Sequence, residues 1–435
     1  MFQFIIEGGK KLSGKIKVNT AKNSAVAILC ASLMVKGKVN LEDVPRIQEV
    51  DRILEILTSI GVRFEWKGGN SLFLDTSAKL NLDNINKKAC KITRSSLLLF
   101  GALAKREEKG YKLYKSGGCK LGERTVRPHL LGLEKLGLSV VSKAGYYEVK
   151  TVKLQSNEVI MYESGDTTTE NVIMAAVLAP GITTLKFASA NYMVQDLCYF
   201  LIKAGADIKG IGTTTMIIKG VRSLKSVKKA YPLIPDPIEA MTFISLAITT
   251  KSKLTIENCP LDFLELELEK LSVMGQKWNV LKKYKSKNTK FNMADIEILP
   301  SDLKALPDKI YGRPFPGLNI DNLPFFVPIL TQAKGRTLVH DWIYENRAIY
   351  YLELQKLGAN MVLLDPHRVF VEGVVNLKSN ELICPPAIRP ATAILICMLA
   401  ANGKSVLRNS YPIERGYENL AGRLQDIGAE IERVE

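Results

Sequence analysis

The chain repeats one short phrase six times, and this repeat restricts its possible folds more than any other feature of the sequence. Each phrase has the form Leu-x-x-hydrophobic-Gly and precedes a strand-like segment. The six glycines, spaced 68 to 83 residues apart, are Gly61, Gly137, Gly205, Gly275, Gly358 and Gly428. Because glycine readily adopts the left-handed conformation that ends a helix, each phrase predicts a helix, its C-terminal cap and a strand.

A second pattern precedes each phrase: an apolar helix of about three turns, a turn residue and a short alternating strand. The predicted helices span residues 23–35, 95–104, 171–178, 238–248, 323–332 and 391–401. The predicted strands begin near Gly37, Gly110, Gly181, Ser252, Gly335 and Gly403. A helix that is apolar nearly all round must be buried, so the more amphipathic helix and the sheet of each unit should lie outside it.

The repeat predicts an α/β protein of two similar domains. Three units of about 70 residues around a pseudo-threefold axis would bury their apolar helices, and six such units make two domains. The boundary should lie near residues 230–235. Within a domain the inner helices should begin at one end, where free amides and helix dipoles favour anions, and a ligand should bind in a cleft between the domains.

Composition and charge exclude several classes of protein. The chain has 435 residues, 46% apolar and 24% charged, which is typical of folded globular proteins rather than disordered ones. The longest apolar run, residues 391–401, is shorter than the about 20 residues of a membrane span, and residues 1–7 lack the features of an export signal, so a cytosolic protein is expected. A net charge of +16 favours anionic partners. The lysine-rich stretch 281–290 could touch nucleic acid, but a solvated loop is the commoner explanation.

Cysteine and histidine usage argues against a metal centre. The seven cysteines are scattered and contain no CxxC pair, and the three histidines are far apart. One cysteine, Cys119, lies among three glycines and close to Lys120 and Arg124, a setting that predicts an exposed and reactive thiol. Metal-free chemistry is therefore expected.

Several polar residues stand at the starts of the predicted inner helices. Lys22 and Arg389 flank very apolar helices where no backbone role requires a cation, so a functional role is favoured. The segment 236–239, Asp-Pro-Ile-Glu, is typical of a structural helix start, with the aspartate as cap and the glutamate reaching back. The segment 169–171, Thr-Glu-Asn, fits either capping or ligand binding.

Taken in order along nearly the whole chain, these motifs resemble the enolpyruvyl transferases. The motifs that carry the resemblance are Gly8-Gly9 with Leu12-x-Gly14, Ala21-Lys22-Asn23, Gly117-Gly118-Cys119 with Gly122-x-Arg124, Thr169-Glu170-Asn171, Asp236-x-Ile238-Glu239, Glu345-Asn346-Arg347 and Arg415-Gly416-Tyr417-Glu418. The resemblance implies two domains, each an inside-out α/β barrel of three repeated units. One would span residues 21–232, with the cysteine loop, and the other residues 1–20 and 233–435.

The resemblance also implies an activity: transfer of the enolpyruvyl group of phosphoenolpyruvate to a hydroxyl, through a tetrahedral ketal that then loses phosphate. The cysteine loop favours the branch whose acceptor is a UDP-sugar, UDP-N-acetylglucosamine, in peptidoglycan precursor synthesis. The implied partners are phosphoenolpyruvate and a nucleotide-sugar, with no cofactor, metal, nucleic acid or membrane.

Roles for single residues follow from the same resemblance. Lys22, Arg124 and Arg415 would hold the phosphate region of the donor, and Arg347 and Arg389 its carboxylate. Asp321 would act as the base on the acceptor hydroxyl, and Cys119 as the acid that protonates the donor's methylene. Asn23 and Arg94 would contact the nucleotide-sugar and help to close the cleft. The remaining substrate-binding positions implied are Thr125, Val126, Arg127, Thr169 and Ile343.

Departures from the family pattern concern the acceptor and leave alternatives open. Residues 125–127 are Thr-Val-Arg where the family usually has Pro-Val-Asp, Gln48 replaces a lysine, and Ala387 replaces an aspartate. A different nucleotide-sugar or shikimate 3-phosphate therefore remains a possible acceptor. RNA 3′-phosphate cyclase shares the repeat architecture but needs a nucleotide-accepting histidine, for which His340 and His367 lack a motif. A noncatalytic polyanion binder would bind in a strongly salt-dependent way.

Overall fold

The computed structural model describes residues 2–106, 109–116 and 125–435, which fall into two compact units. The amino unit comprises the described residues between 20 and 234, and the carboxyl unit comprises residues 2–19 and 235–435. Over these residues, no helix combines the length and the apolar character that crossing a bilayer requires.

Short strands and helices alternate along the chain. In chain order the strands are β1 (Gln3–Gly8), β2 (Ser13–Lys17), β3 (Lys38–Glu42), β4 (Arg63–Trp66), β5 (Leu72–Asp75), β6 (Tyr111–Tyr114), β7 (Leu138–Ser142), β8 (Tyr146–Thr151), β9 (Glu158–Ile160), β10 (Ile182–Lys186), β11 (Asp207–Lys209), β12 (Thr215–Lys219), β13 (Val227–Pro232), β14 (Lys253–Pro260), β15 (Trp278–Lys285), β16 (Asn292–Ile298), β17 (Leu303–Lys304), β18 (Ile310–Tyr311), β19 (Ala333–His340), β20 (Asn360–Asp365), β21 (Arg368–Gly373), β22 (Glu381–Ile383), β23 (Gly403–Arg408) and β24 (Glu430–Val434). The α-helices are α1 (Lys22–Ala31), α2 (Gln48–Ser59), α3 (Lys87–Ile92), α4 (Leu99–Ala102), α5 (Arg127–Glu134), α6 (Asp166–Val177), α7 (Tyr192–Lys203), α8 (Pro237–Thr249), α9 (Glu265–Val273), α10 (Leu323–Leu330), α11 (Arg347–Tyr351), α12 (Ile388–Ala400), α13 (Tyr411–Glu414) and α14 (Leu420–Gln425). Short 3₁₀ helices span Ser32–Met34, Leu82–Asn84, Arg94–Leu98, Leu261–Phe263 and Leu352–Leu357.

The strands of the described residues form six sheets, three in each unit. Every sheet contains one of the six strands predicted to follow an inner helix, namely β3, β6, β10, β14, β19 and β23. In five sheets this strand pairs parallel on one side and antiparallel on the other, and its antiparallel neighbour pairs antiparallel with a further strand. In the sheet of β19, the short β18 is a second parallel neighbour. The main strand orders are β13-β3-β5-β4, β6-β8-β7 and β11-β12-β10-β9 in the amino unit, and β15-β16-β14-β2, β17-β19-β21-β20 and β22-β23-β1-β24 in the carboxyl unit. The predicted sixfold repeat and the mixed α/β class are thereby confirmed.

The first two strands belong to sheets of the carboxyl unit. β1 lies between β23 and β24 and is antiparallel to both, with Phe4 opposite Leu407. β2 runs parallel to β14 at the edge of another sheet. The segment between β1 and β2, which includes Gly9, therefore connects two sheets.

The six phrase glycines end their helices as predicted. All six have positive φ angles, between 87° and 104°, which is the left-handed conformation expected of a helix cap. At Gly137 a side chain is also excluded by space, because a Cβ atom would lie 1.9 Å from the carbonyl oxygen of Lys153. The glycines thus set the point where each outer helix turns into a strand.

The inner helices form the core of each unit. In the carboxyl unit α8, α10 and α12 pack against one another, and every residue of α8 and α10 is buried. Ser245 of α8 donates a hydrogen bond to the Phe325 carbonyl of α10 (2.7 Å), so its buried hydroxyl is satisfied.

The second inner helix of the amino unit differs from its prediction. The sequence predicts one helix over residues 95–104, whereas the structure has a 3₁₀ turn followed by the short α4. Asn171 of α6 explains the break, because its amide accepts a hydrogen bond from the Gly101 amide (2.8 Å) and donates one to the Leu97 carbonyl (3.0 Å). These two groups would bond to each other in a regular α-helix, so Asn171 replaces one helical hydrogen bond.

Candidate functional site

The carboxyl unit holds the predicted base, Asp321, in a turn immediately before the inner helix α10. The Asp321 amide donates to the side chain of Asn319 (2.9 Å), which fixes the turn. Glu267 supports the same turn by accepting hydrogen bonds from the Asn319 amide (3.2 Å) and the Asn322 side chain (2.8 Å). Burial raises the pKa of Glu267.

Within the described part of the chain, Arg347, Arg389 and Tyr344 face the Asp321 carboxylate. Arg347 lies with Nη1 3.5 Å from Oδ1, and Arg389 lies with Nη2 4.0 Å from Oδ2. The hydroxyl of Tyr344 is 3.5 Å from Oδ1. Since the Asp321 side chain keeps 26% of its surface exposed, it is an accessible acceptor held between two guanidinium groups. Such a group can take a proton from a bound hydroxyl and place it beside fixed positive charge.

Arg347 is almost completely buried, with 1% of its surface exposed. Its Nε and Nη2 atoms donate to the two oxygens of Asp341 (2.5 and 2.9 Å), and Nη2 also donates to the carbonyl of Ile320 (2.7 Å). The ring of Tyr344 lies 4.2 Å from the guanidinium carbon. Burial alone would lower the pKa of Arg347, but the negative charge and hydrogen bonds of Asp341 outweigh it and the pKa is raised, so the guanidinium stays charged and is rigidly held.

Arg389 and the segment around Arg415 meet at the beginning of the inner helices. Arg389 is in the first turn of α12 and is 8% exposed. A Cβ atom on Gly416 would come within 3.7 Å of Arg389 Nη1, so the segment after Arg415 passes close to this cation. The hydroxyl groups of Tyr417 and Thr242 lie 2.8 Å apart and join this segment to α8. In the carboxyl unit the inner helices therefore begin together, as predicted, at the end that carries Asp321.

Ile343 is half-buried in the loop between β19 and α11, one residue from Tyr344. Its neighbour Trp342 donates a hydrogen bond from Nε1 to the Gly312 carbonyl (2.8 Å), which ties this loop to the rest of the unit. A substrate contact by Ile343 stays a prediction.

The amino unit brings other predicted binding residues to helix starts. Lys22 is the first residue of α1. Asn23 is the second, and its side-chain amide donates to the hydroxyl of Tyr192 (3.2 Å). Arg94 donates from Nη2 to the carbonyl of Thr125 (3.2 Å). This hydrogen bond joins the two segments that the family resemblance assigns to the nucleotide-sugar.

The segment 125–127, which differs from the family pattern, lies at the start of α5. Thr125 and Arg127 are exposed, Val126 is half-buried, and the Arg127 amide donates to Thr125 Oγ1 (3.1 Å). The described contacts thus leave the side chain of Arg127 at the surface, at the N-terminal end of a helix. Both the guanidinium and the helix end favour a negatively charged neighbour.

The segment 169–171, which fits either capping or ligand binding by sequence, has structural contacts. Thr169 is fully buried, donates to the Gly165 carbonyl (2.8 Å) and accepts from the Ser189 amide (3.0 Å). Because α6 begins at Asp166, Thr169 lies within its first turns and does not cap the helix, so the capping alternative is wrong. Its hydroxyl bonds back to the carbonyl four residues earlier, and a substrate contact by Thr169 stays a prediction. Glu170 is buried beside it, and burial raises its pKa, which favours the neutral acid.

The helix start at Asp236 is confirmed, with one correction. Asp236 caps α8 by accepting from the Ile238 amide (2.8 Å). Glu239 does not reach back to the cap as predicted; it accepts from the Asn19 amide (2.5 Å) and from Arg423 (2.6 Å). The Glu239 carboxylate therefore binds the Asn19 amide and Arg423, which is 184 residues away, instead of the backbone amide at the start of its own helix.

Cys119 and Arg124 lie outside the described residues, so their predicted roles rest on the sequence. The other six cysteines are buried, and burial raises the pKa of each thiol, to about 12 for Cys90 and Cys384 and further for the rest. Thiols in this state react slowly.

We therefore expect a maleimide to label the native protein once, at Cys119, and the urea-unfolded protein seven times. Intact-mass spectrometry measures both numbers. The matched control is Cys119→Ala, which should remain unlabelled when native. Native labelling of that variant, or of a second site in the unsubstituted protein, would contradict the prediction.

Sequence reasoning missed three side chains of the Asp321 region: Tyr344, Asp341 and Tyr351. Tyr344 lies within the Glu-Asn-Arg motif region and could have been noticed there, but Asp341 and Tyr351 carry no local signal. Across the described ranges, no three His, Cys, Asp or Glu side chains lie close enough together to hold a metal ion.

Comparison with known proteins agrees with this arrangement. The profile of EPSP synthase (3-phosphoshikimate 1-carboxyvinyltransferase) matches residues 6–424. UDP-N-acetylglucosamine 1-carboxyvinyltransferases of Bacteroides thetaiotaomicron and Bradyrhizobium diazoefficiens are 33% and 34% identical to the chain, over 98–100% of both sequences in each pair.

Solved structures show the same fold. The enolpyruvyl transferase NikO of Streptomyces tendae matches with a TM-score of 0.86 at 24% identity, over 100% of this chain and 99% of its own. EPSP synthase of Acinetobacter baumannii matches with a TM-score of 0.77 at 16% identity, over all of both chains. The predicted inside-out α/β fold class is confirmed, and the chain belongs to the EPSP synthase family of enolpyruvyl transferases.

Proposed function

We propose that this enzyme transfers the enolpyruvyl group of phosphoenolpyruvate to a hydroxyl of UDP-N-acetylglucosamine in the cytoplasm, with release of phosphate, as a step of peptidoglycan precursor synthesis. The observation that carries the proposal is the accessible Asp321 carboxylate between Arg347 and Arg389. The full-length relatives named for this reaction support the choice of acceptor.

The reaction takes place in two steps, and the residues divide the work. In the addition, Asp321 accepts the proton of the acceptor hydroxyl while the hydroxyl oxygen bonds to C2 of phosphoenolpyruvate. Cys119 supplies a proton to C3 in the same step. In the elimination, C3 loses a proton and the bond between C2 and the phosphate oxygen breaks, which restores the double bond and releases phosphate. Each step needs a proton acceptor and a proton donor at fixed positions.

Cations stabilise the charge that develops on the donor. Arg389, at the start of α12, faces the carboxylate of phosphoenolpyruvate, with Arg347 fixed behind Asp321. Lys22, Arg124 and Arg415 hold the phosphate. Preorganised cations of this kind commonly lower the barrier by several kcal/mol, about 3 kcal/mol for a single hydrogen-bond donor.

The acceptor end is where this chain departs from its relatives. Asn23, Arg94 and the segment 125–127 contact the nucleotide-sugar. The exposed Arg127 in place of an aspartate favours the diphosphate or another anionic group over a hydrogen bond to uracil. A change of nucleotide base should therefore weaken binding less than removal of the diphosphate.

A coupled assay of phosphate release tests the proposal. We expect release only when phosphoenolpyruvate and UDP-N-acetylglucosamine are both present, and a product whose mass exceeds that of the acceptor by one enolpyruvyl group. Shikimate 3-phosphate and other nucleotide-sugars are the parallel acceptors. If shikimate 3-phosphate is the only acceptor that supports phosphate release, the enzyme belongs to the other branch of the family. If no acceptor supports release, the proposal is contradicted.

A further inference from the structure

A second carboxylate, Asp341, lies behind the site and has no part in the mechanism above. It follows β19 and is 1% exposed. Its two oxygens accept hydrogen bonds from Arg347 Nε and Nη2, and Oδ2 also accepts from the Tyr351 hydroxyl (2.6 Å). The backbone of Asp341 is fixed as well, because its amide donates to the His367 carbonyl (2.7 Å). Asp341 is therefore rigid and closed to substrate.

Arg347 thus lies between two carboxylates that differ in exposure. The Nε and Nη2 atoms of Arg347 donate hydrogen bonds to Asp341, while Nη1 of Arg347 lies 3.5 Å from Oδ1 of the accessible Asp321. Tyr344 contributes a ring to Arg347 and a hydroxyl to Asp321. Among the described residues, Arg389 also faces Asp321, with Nη2 4.0 Å from Oδ2.

The charges at these distances decide how strongly Asp321 holds a proton. A cation within about 4–6 Å favours the ionised carboxylate and makes it a weaker base. Two uncompensated guanidinium groups would weaken Asp321 twice. The negative charge of Asp341 cancels that of Arg347, so that on this side Asp321 faces a neutral pair instead of a second cation.

We propose that Asp341 is a positioning residue for catalysis: it orients Arg347 and neutralises its charge, so that Asp321 stays basic enough to take the acceptor's proton. Tyr351 holds the Asp341 carboxylate in this orientation. The inference rests on the proposed role of Asp321.

The experiment compares the pH dependence of kcat in charge variants of the pair. Asp341→Asn leaves an uncompensated cation beside Asp321, so kcat should fall about tenfold to a hundredfold. The acid limb of the pH profile, where kcat falls as Asp321 becomes protonated, should move to lower pH by about one unit. Arg347→Gln leaves an uncompensated anion, so its acid limb should move to higher pH. The double variant restores neutrality and should have its limb near the unsubstituted position.

Tyr351→Phe is the matched control. It removes the hydroxyl but keeps both charges, so a moderate fall in kcat with an unmoved acid limb is expected. A purely structural role of Asp341 predicts that same pattern for Asp341→Asn, and this outcome would overturn the proposal. If Asp341→Asn does not fold, the limb of Arg347→Gln and that of the double variant still decide the question.

A titration that needs no turnover separates this inference from the function itself. In protein labelled with ¹³C-aspartate, Asp321→Asn assigns the carboxyl resonance of Asp321, whose midpoint is then followed against pH in each variant. A lower midpoint in Asp341→Asn supports the proposal even if phosphate release is never detected. An unchanged midpoint overturns it even if the enzyme is active.

Discussion

Replacing Asp321 by asparagine should lower kcat about 10²-fold to 10⁴-fold, which is the usual contribution of a general base. The asparagine keeps the size of the side chain and its place before α10, but its amide cannot accept the proton of the acceptor hydroxyl. Thermal stability should hardly change, since the side chain is partly exposed and its contacts with Arg347 and Arg389 are 3.5 Å or longer.

Phosphate release at saturating substrates and a thermal melt measure the two quantities. Asp308→Asn is the control, because Asp308 is an exposed carboxylate of the same unit and should keep full activity. A kcat of Asp321→Asn within about threefold of the unsubstituted enzyme would remove Asp321 from the role of base.

Replacing Arg347 by methionine should destabilise the carboxyl unit by about 3–5 kcal/mol, because it leaves the buried charge of Asp341 without its partner. The loss should be larger than that of an ordinary surface pair, since both side chains of this pair are 1% exposed. Urea unfolding, followed by a signal from the carboxyl unit, measures the change in the free energy of unfolding.

Two variants test the cause of that loss. Arg336→Met breaks the exposed pair with Glu372 and should cost only about 0–1 kcal/mol. Arg347→Met combined with Asp341→Leu removes both buried charges and should recover much of the stability. If the double variant is as unstable as Arg347→Met alone, lost packing rather than an unpaired charge explains the effect.

Local features of the chain were predictable from sequence, because neighbouring residues determine them. The glycine caps, the strands that follow the inner helices and the Asp236 cap each depend on a few consecutive residues. The sixfold period then implied the six sheets, since one apolar helix per unit had to be covered by its own strands.

Features that depend on distant partners were not predictable. The insertion of Asn171 between Leu97 and Gly101 joins positions 70 or more residues apart, and it converts an expected helix into a 3₁₀ turn. Glu239 follows the capping-box pattern yet pairs with Arg423. In both cases the tertiary partner offers a stronger or better placed group than the local one.

The candidate site divides in the same way. Helix starts and the family motifs indicated Lys22, Arg389 and Asp321 as site residues. The contacts that fix Arg347 could not be predicted from sequence. Tyr351 is four residues from Arg347, the spacing of neighbours on one face of α11, but the sequence predicted where a helix ends and not where it begins. Asp341 lies six residues before Arg347, outside α11, and no helical period connects the two.

The place of β1 and β2 has a consequence for how the protein is made. During synthesis both strands leave the ribosome before the amino unit, yet among the described strands β1 pairs with β23 and β24, and β2 with β14. The whole amino unit emerges in between and can fold first, as domains commonly do in order of translation. In the nascent chain β2 must therefore wait for its partner until β14 is translated, and β1 must wait until β23 and β24 are translated.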